Sequence, residues 1–294
     1  MRTFDRAPDP PLNRYESYNV LVAGETVTLE PFARFSEPGH LFNYSKSAIR
    51  ALEVLELFRT SGRRLKAREI ARALEIGPSS ADQLLKTLVD GAYLHFDPAT
   101  KLYWPTPRTA ALAGGLGSAL GTDTMLERFI EDARNALGRN VNIAIAQGAA
   151  MQIILGRCKN SDLEWPTRPD QHRGTLISIG TRVPLFGSSS GAAWMSVQPR
   201  DVILSCIAQC RRELGPLASA PEQLIETLEK VREQGYALGG ISIRNNAWGI
   251  SMPFPPSEQG LIHVVSVSDA QADLVRDRDR IVDYLRTRIS ELRG

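Results

Sequence analysis

Five small residues in a row, Gly187-Ser188-Ser189-Ser190-Gly191, have the types and spacing of a catalytic motif. They satisfy the G-x-S-x-G pattern, in which the central serine, here Ser189, is the nucleophile of a hydrolase. Such an enzyme needs a strand before the motif, a helix after it, and an acid and a histidine further along the chain. His263 is the only histidine downstream, and this part of the chain lacks the pattern of a parallel α/β sheet. A serine hydrolase is therefore the weaker interpretation.

The same residues have a simpler explanation as the beginning of a helix near Gly191. The first turn of a helix leaves backbone N–H groups unpaired, and small residues keep them accessible. Together with the serine hydroxyls, these groups form a binding site for an anion. A tight turn that binds no ligand is the structural alternative.

Metal and disulfide chemistry are not indicated. The three cysteines, Cys158, Cys206 and Cys210, have no C-x-x-C spacing and no paired histidines. We therefore predict reduced, mostly buried thiols and no metal site. We also expect no cofactor and no catalytic residue.

Composition indicates a globular protein of two domains. The chain has 294 residues, 43% hydrophobic and 23% charged, and no apolar run approaches the ~20 residues that span a bilayer. Residues 1–11 lack the apolar core of a secretory signal, so we expect a cytoplasmic protein. Residues 41–108 carry 11 basic and 7 acidic side chains, whereas residues 109–294 carry 20 of each. A local excess of positive charge is typical of a domain that contacts phosphates.

That basic segment contains three helical patterns in succession. The first predicts a buried helix over residues 45–60, with Ile49, Leu52, Leu55 and Phe58 at helical spacing. A short helix over residues 66–74 and a turn at Gly77 follow. A third helix is expected from Pro78, with Ser79 as its candidate cap.

The third helix has an apolar face and a polar face. Its apolar residues recur at helical spacing and leave an outward face composed of Ser79, Ser80, Asp82, Gln83 and Lys86. Small hydrogen-bonding groups of this kind suit base edges and phosphates in the major groove. Residues 93–104 then predict a β-hairpin, a wing with Lys101 near its tip. A module of this type also serves as a pure protein-interaction domain, which is the alternative.

The remaining segments are predicted in outline. Residues 1–40, rich in proline, form an extension that is either a flexible tail or an arm packed on a partner subunit or neighbouring domain. Residues 106–122 predict a linker helix that frays at its glycines. Residues 123–294 alternate helical and strand patterns, including a strand over residues 175–179 and one long helix over 270–292. They predict an α+β domain with an antiparallel sheet.

Short motifs along both domains resemble, in order and spacing, the IclR-type bacterial transcriptional regulators. The motifs of the first domain, which we assign to residues 41–105, are Arg50-Ala51-Leu52, Glu69-Ile70-Ala71-Arg72-Ala73-Leu74, Leu84-Leu85-Lys86-Thr87-Leu88, Gly91 and Tyr93-Leu94. Those of the second domain are Arg182-Val183-Pro184-Leu185, Gly191, Gly235-Tyr236-Ala237-Leu238, Pro253 and Val265-Ser266-Val267-Ser268. Each motif is weak alone, but their collinearity over residues 45–294 is specific.

The resemblance implies a winged helix-turn-helix, a linker helix and a GAF-like effector-binding domain. It implies binding to a pseudo-palindromic operator as a homodimer, with two dimers associating. The candidate DNA-binding residues are Ser45, Lys46, Arg50, Ser79, Ser80, Gln83, Lys86 and Lys101. The candidate effector-binding residues are Phe186, Ser188, Ser189, Ser190, Arg244, Trp248, Ser251, Met252, Ser266 and Ser268.

Two departures from the family pattern bear on the effector. Gly239 and Gly240 replace the acidic residue often found after Gly-Tyr-Ala-Leu, and Gly249 replaces the usual cysteine of the later strand. Loss of an acid close to Arg244 and Trp248 favours a small anionic or aromatic carboxylate as the ligand. We expect an effector-responsive regulator rather than an enzyme; a hydrolase built on Ser189 and an interaction protein without an operator are the alternatives.

Overall fold

The computed structural model describes residues 18–22, 25–29, 45–120, 125–159, 179–214, 221–240, 247–257 and 260–292. These residues form two compact units. One contains residues 45–120, and the other combines two N-terminal strands with residues 125–292. None of the described helices is both long and apolar enough to cross a membrane.

Three helices build the first unit: α1 (Lys46–Ser61), α2 (Ala67–Ala73) and α3 (Pro78–Asp90). Their inner faces meet in one apolar cluster, in which Val54, Ile70 and Leu85 are fully buried. Full burial of a side chain of this size contributes about 1.5–3 kcal/mol to stability. The cluster therefore fixes which face of α3 is left for solvent.

The helix α1 presents a different face to this core from the one predicted. Its buried face is centred on Val54 and Phe58, whereas Ile49 and Leu52 are 44% and 59% exposed. Residues 51, 54, 55 and 58 share one side of a helix with 3.6 residues per turn, and residues 49 and 52 lie off that side. The expectation that Ile49 and Leu52 are buried was therefore wrong.

The turn before α3 also differs from its prediction. Gly77 occupies the N-cap position of α3 and no side chain caps the helix, so Ser79 is not its cap. Pro78 is at the first helical position, as predicted. The left-handed residue of the corner is Glu75, with φ of 52°, rather than a glycine.

A three-stranded sheet follows, made of β3 (Leu65–Lys66), β5 (Leu102–Pro105) and β4 (Leu94–Asp97) in that order. The hairpin of β4 and β5 is the predicted wing. Helix α4 (Pro107–Leu120) begins directly after it and continues through the three glycines at which we expected fraying. The Thr106 and Thr109 hydroxyls donate to the carbonyls of Ala92 and Tyr93 at 2.6 and 2.7 Å. These bonds attach the start of α4 to the wing.

The second unit is organised on an eight-stranded sheet in which every neighbouring pair is antiparallel, as predicted. In spatial order its strands are β2 (Glu25–Leu29), β1 (Tyr18–Val22), β9 (Ala237–Gly240), β10 (Ala247–Pro253), β11 (His263–Ala270), β6 (Asn140–Gln147), β7 (Ala150–Arg157) and β8 (Arg182–Pro184). The N-terminal hairpin thus extends the β9 edge, with Val20 opposite Gly239. The remainder of the predicted arm, and nearly all of the predicted strand over residues 175–179, lie outside the described residues.

Helices cover both faces of this sheet. Helices α5 (Met125–Leu137), α9 (Gln271–Arg276) and α10 (Arg278–Glu291) share one apolar cluster with Ile250 and Val267, and we call this side the α5 face. Helices α6 (Ser189–Ser196), α7 (Arg200–Leu214) and α8 (Pro221–Gln234) share the other cluster with Ala144 and Val264 on the α6 face. Residues that alternate along a strand point to opposite faces, so each strand contributes to both cores.

The long helix predicted over residues 270–292 is broken at Asp277, which ends α9 and precedes α10. The guanidinium of Arg139, 9% exposed, donates to both Asp269 and Asp277. Lys159 also donates to Asp269, at 2.8 Å. Hydrogen bonds from Arg276 and Arg139 lower the pKa of Asp277 to about 2. Charge pairing at this corner therefore joins β6 to the end of β11 and to the junction of α9 and α10.

The depressed pKa of Asp277 predicts a specific acid sensitivity. Its contribution to stability is complete above the unfolded-state pKa of about 4 and is lost as the pH falls toward 2. We expect the urea midpoint of the wild-type protein to fall more between pH 5 and pH 3.5 than that of Asp277→Asn. The exposed Asp283 of α10 supplies the control, and Asp283→Asn is expected to behave like the wild type. An equal fall in all three proteins would contradict this assignment.

Candidate functional sites

The outward face of α3 is polar and open to solvent. Ser79, Ser80, Gln83 and Lys86 are all exposed, as predicted, while Ala81 and Leu85 on the other side are buried. The side chains stand on successive turns of one helix, so they form a continuous strip. Such a strip has the dimensions and chemistry of an element that lies in a major groove.

One feature of this strip was not predicted. Nζ of Lys86 lies 2.8 Å from Oδ2 of Asp82, one turn earlier in the same helix. The hydrogen bond and charge of Asp82 raise the pKa of Lys86. The sequence signal was present, because residues 82 and 86 are four apart and opposite in charge.

The wing presents a cation beside a turn that is closed by a carboxylate. Asp97 accepts hydrogen bonds from the Thr100 hydroxyl at 2.6 Å and the Ala99 amide at 2.9 Å, and these lower its pKa. Lys101 follows with φ of 59°, and its ammonium lies 5.8 Å from the centre of the Phe96 ring. Lys101 is exposed, as a phosphate contact requires.

The candidates on α1 have different environments. Ser45 is the N-cap of α1 and accepts a hydrogen bond from the Ala48 amide at 3.4 Å, so its hydroxyl has a structural role. Lys46 is exposed and Arg50 is half-buried. All three residues lie at the start of α1 and do not belong to the polar strip on α3.

In the second unit, the serines of the G-x-S-x-G segment enter α6 on the α6 face of the sheet. The helix begins at Ser189, two residues earlier than Gly191, and Ser188 is its N-cap. The Ser188 hydroxyl accepts from the Gly191 amide at 3.1 Å and donates to the Pro184 carbonyl at 2.6 Å. Ser188 therefore closes the turn. The amides of Ser189 and Ser190 have no hydrogen-bond acceptor within the described part of the chain.

The Ser189 hydroxyl is the end of a chain of three buried hydroxyls. Ser251 on β10 donates to it at 2.9 Å, and Ser251 and Ser266 on β11 lie 2.8 Å apart. A hydroxyl has one proton, so Ser266 must donate to Ser251. The Ser189 proton is then the last in the chain, and no acceptor for it lies among the residues that the structure describes. Ser189 and Ser251 are 0% exposed.

Further polar groups share this face. Ser268 is 3% exposed, and Asn142 on β6, also 3% exposed, is paired across the strands with Ser266. Cross-strand partners point to the same face. Asn142 was not among the predicted site residues, although it is the polar member of a run in which every second residue faces one core.

Four predicted effector residues are not part of this group of buried polar side chains. Phe186 packs in the apolar core of the α6 face. Trp248 and Met252 belong to the core of the α5 face, because residues 248, 250 and 252 point away from the side to which Ser251 points. We had grouped neighbouring residues of one strand, and the pleat separates them. Arg244 lies outside the described residues.

The described residues around Ser189 do not provide the parts of a serine hydrolase. The direct partner of Ser189 is a hydroxyl, which is too weak a base to activate it. His263, Val265 and Val267 are alternate residues of β11, so the side chain of His263 points to the α5 face as those of the two valines do. Burial lowers the pKa of its imidazole.

The cysteines contribute no site on the described part of the molecule. Cys210 is buried, Cys158 and Cys206 are half-buried, and none of the three forms a disulfide. Burial raises the pKa of Cys158 and of Cys206. Among the residues that the structure describes, no group of three His, Cys, Asp or Glu residues lies close enough to hold a metal ion.

Two family models cover most of the chain. Residues 47–98 match the IclR helix-turn-helix domain, and residues 124–292 match the C-terminal domain of IclR bacterial transcriptional regulators. The chain belongs to the IclR family. Members of this family are DNA-binding transcriptional regulators and not enzymes.

Individual relatives of known name are distant. The HTH-type transcriptional regulator XynR of Escherichia coli (strain K12) is 22% identical over 231 residues, which are 76% of this chain and 85% of that protein. The IclR of Thermotoga maritima is 16% identical, with a TM-score of 0.51 over 84% of this chain and 97% of that one. An IclR homologue of Microbacterium hydrocarbonoxydans, complexed with 4-hydroxybenzoate, is 18% identical, with a TM-score of 0.46 over 83% of this chain and 97% of that one.

In this IclR-family chain, Gly191 allows α6 to seat on the turn before it. A Cβ added at Gly191 would lie 1.8 Å from the carbonyl oxygen of Leu185. We expect Gly191→Ala to destabilise the second unit by roughly 1–3 kcal/mol or more, since backbone must move to remove the clash. The same substitution at Gly114, where no atom lies within 4 Å, is expected to be neutral or stabilising. Urea unfolding measures both, and a Gly191→Ala protein as stable as the wild type would disprove the packing described for α6.

Proposed function

We propose that the chain acts in the cytoplasm as a homodimeric regulator, with two dimers associating, and that each dimer binds one pseudo-palindromic operator. The DNA-binding part of this proposal rests on the exposed polar strip on α3, which lies within a segment that has an excess of basic residues. Two-fold pairing places two such strips on half-sites related by the same symmetry. The exposed apolar Ile49 and Leu52 on α1 offer surface for a second copy.

The proposal predicts two different effects of mutation on DNA binding. Gln83→Ala removes a base contact and should weaken binding to the preferred sequence about tenfold, with little effect on random DNA. Lys101→Ala removes a phosphate contact and should weaken binding to both DNAs. The slope of the logarithm of the binding constant against the logarithm of the salt concentration should fall in magnitude by about one. Fluorescence anisotropy over a range of salt concentrations separates the two. If both variants bind like the wild type, the assigned DNA-binding face is wrong.

We also propose that the second unit senses a small carboxylate at the serine cluster, formed by the hydroxyls of Ser189, Ser251 and Ser266 and by the amides of Ser189 and Ser190. Burial of a hydroxyl costs free energy unless hydrogen bonds replace water. Apolar side chains would fill this space at less cost if packing were the only requirement. Among the described residues, the cluster instead ends in an O–H group and two amides without an acceptor, and a carboxylate is acceptor-only.

The helix α6 favours the same ligand charge. The amide ends of its first turn carry the positive end of the helix dipole, so they favour an anion. Trp248 and Met252 take no part in this proposal because they face the other core. Arg244 remains a candidate partner for the carboxylate.

A thermal-shift screen of aliphatic and aromatic carboxylates, 4-hydroxybenzoate among them, tests the effector proposal. A ligand at ~100 times its dissociation constant stabilises the protein by ~2.7 kcal/mol. Ser189→Ala removes one donor to a charged group, and we expect it to weaken binding of a hit about tenfold or more. Ser290→Ala, at an exposed position of α10, is the matched control. A hit that binds Ser189→Ala as tightly as the wild type would place the site elsewhere, and a hit that is consumed would restore the enzyme hypothesis.

Regulation then follows from differential affinity. A carboxylate that binds one arrangement of the second units better than another shifts the population of oligomers competent for DNA. The direction of the shift decides whether the ligand releases the protein from the operator or promotes its binding there.

A further inference from the structure

The pair of Asp82 and Lys86 on α3 has no evident structural function. Asp82 is the fifth residue of the helix, beyond the first turn where a carboxylate favours the dipole. Its side chain is 54% exposed and that of Lys86 is 69% exposed. Exposed pairs of this kind contribute little to stability. The carboxylate of Asp97 on the wing is different, because the turn uses both of its oxygens.

A carboxylate on the DNA-facing strip is costly unless the DNA supplies a donor. The phosphate backbone repels it, and three of the four bases present acceptors at its place in the major groove. Oδ2 of Asp82 is already bonded to Lys86. Its other oxygen, Oδ1, has no partner among the residues described.

The base that suits this group is cytosine. Its major-groove edge presents the N4 amino donor, whereas adenine places the N7 acceptor directly beside its N6 donor and so repels a carboxylate. The guanine paired with cytosine presents the O6 and N7 acceptors, which suit a lysine. N4 and O6 are hydrogen-bonded to each other within the base pair, so they lie about 3 Å apart. Nζ of Lys86 lies 2.8 Å from Oδ2 of Asp82, so the carboxylate and the ammonium are immediate neighbours, as N4 and O6 are.

We propose that Asp82 and Lys86 together recognise one C·G base pair in each operator half-site. Asp82 accepts from N4 of the cytosine, and Lys86 donates to O6 of its guanine. The ion pair holds both groups in place before the DNA arrives, which reduces the conformational entropy lost on binding. This inference rests on the proposed operator binding and adds the identity of one base pair to it.

The test is selection from randomised double-stranded DNA with the full-length protein and two variants. Asp82→Asn keeps the size of the side chain, but asparagine prefers adenine, to which it bonds at N6 and N7. Asp90→Asn makes the same charge change at the exposed end of the same helix and serves as the control. A thermal melt of each variant confirms that it is folded.

We expect the wild type to select a C·G pair at one position of each half-site, with about tenfold preference over other pairs. Asp82→Asn should change that position toward A·T and leave the rest of the sequence unaltered, while Asp90→Asn should select the wild-type sequence. The inference is overturned if Asp82→Asn selects the same sequence as the wild type, or if the position that Asp82→Asn changes was not a C·G pair in the wild-type selection. If the wild type selects no sequence at all, the operator proposal itself fails, and the base-pair assignment fails with it.

Discussion

The close approach of Gly191 to the Leu185 carbonyl is the contact on which the second unit depends. It seats the first turn of α6 on the turn that precedes the helix, at a distance that no residue with a side chain permits. Only with that turn in place does Ser189 meet Ser251, and through it Ser266, on the two central strands. The amides at the start of α6 and the hydroxyls of β10 and β11 thus converge because of one missing side chain.

The two units obtain their binding groups in different ways. The first unit buries one face of α3 in an apolar core and leaves the other face free, so the polar strip is a consequence of helical periodicity. The second unit buries its polar groups, and hydrogen bonds between them offset part of the cost. Exposed groups suit a large partner such as a DNA groove, and buried groups suit a small ligand that the protein encloses.

The sequence predicted those features that depend on local periodicity or on short motifs. The helices of the first unit, the wing and the antiparallel sheet were found in this way, as was the outward face of α3. It could not predict features set by packing between distant segments. The exposure of Ile49 and Leu52 depends on which side of α1 meets the core. The separation of Trp248 and Met252 from Ser251 is different, because it follows from the alternation along β10 and is predictable once that strand is assigned. At the break between α9 and α10, Asp277 pairs with Arg139, which is far away in sequence.

Reciprocal linkage between the two proposed sites is the most direct test of the whole account. The measurement is the operator affinity of the full-length protein with and without a saturating carboxylate, together with the carboxylate affinity with and without saturating operator. We predict that both affinities change by the same factor, about 5–150-fold, because coupling between binding sites is reciprocal. The Ser189→Ala variant should retain its operator affinity in the absence of ligand and lose the response to the carboxylate. An operator affinity that stays constant while the carboxylate demonstrably binds the wild-type protein would contradict the claim that the serine cluster controls DNA binding.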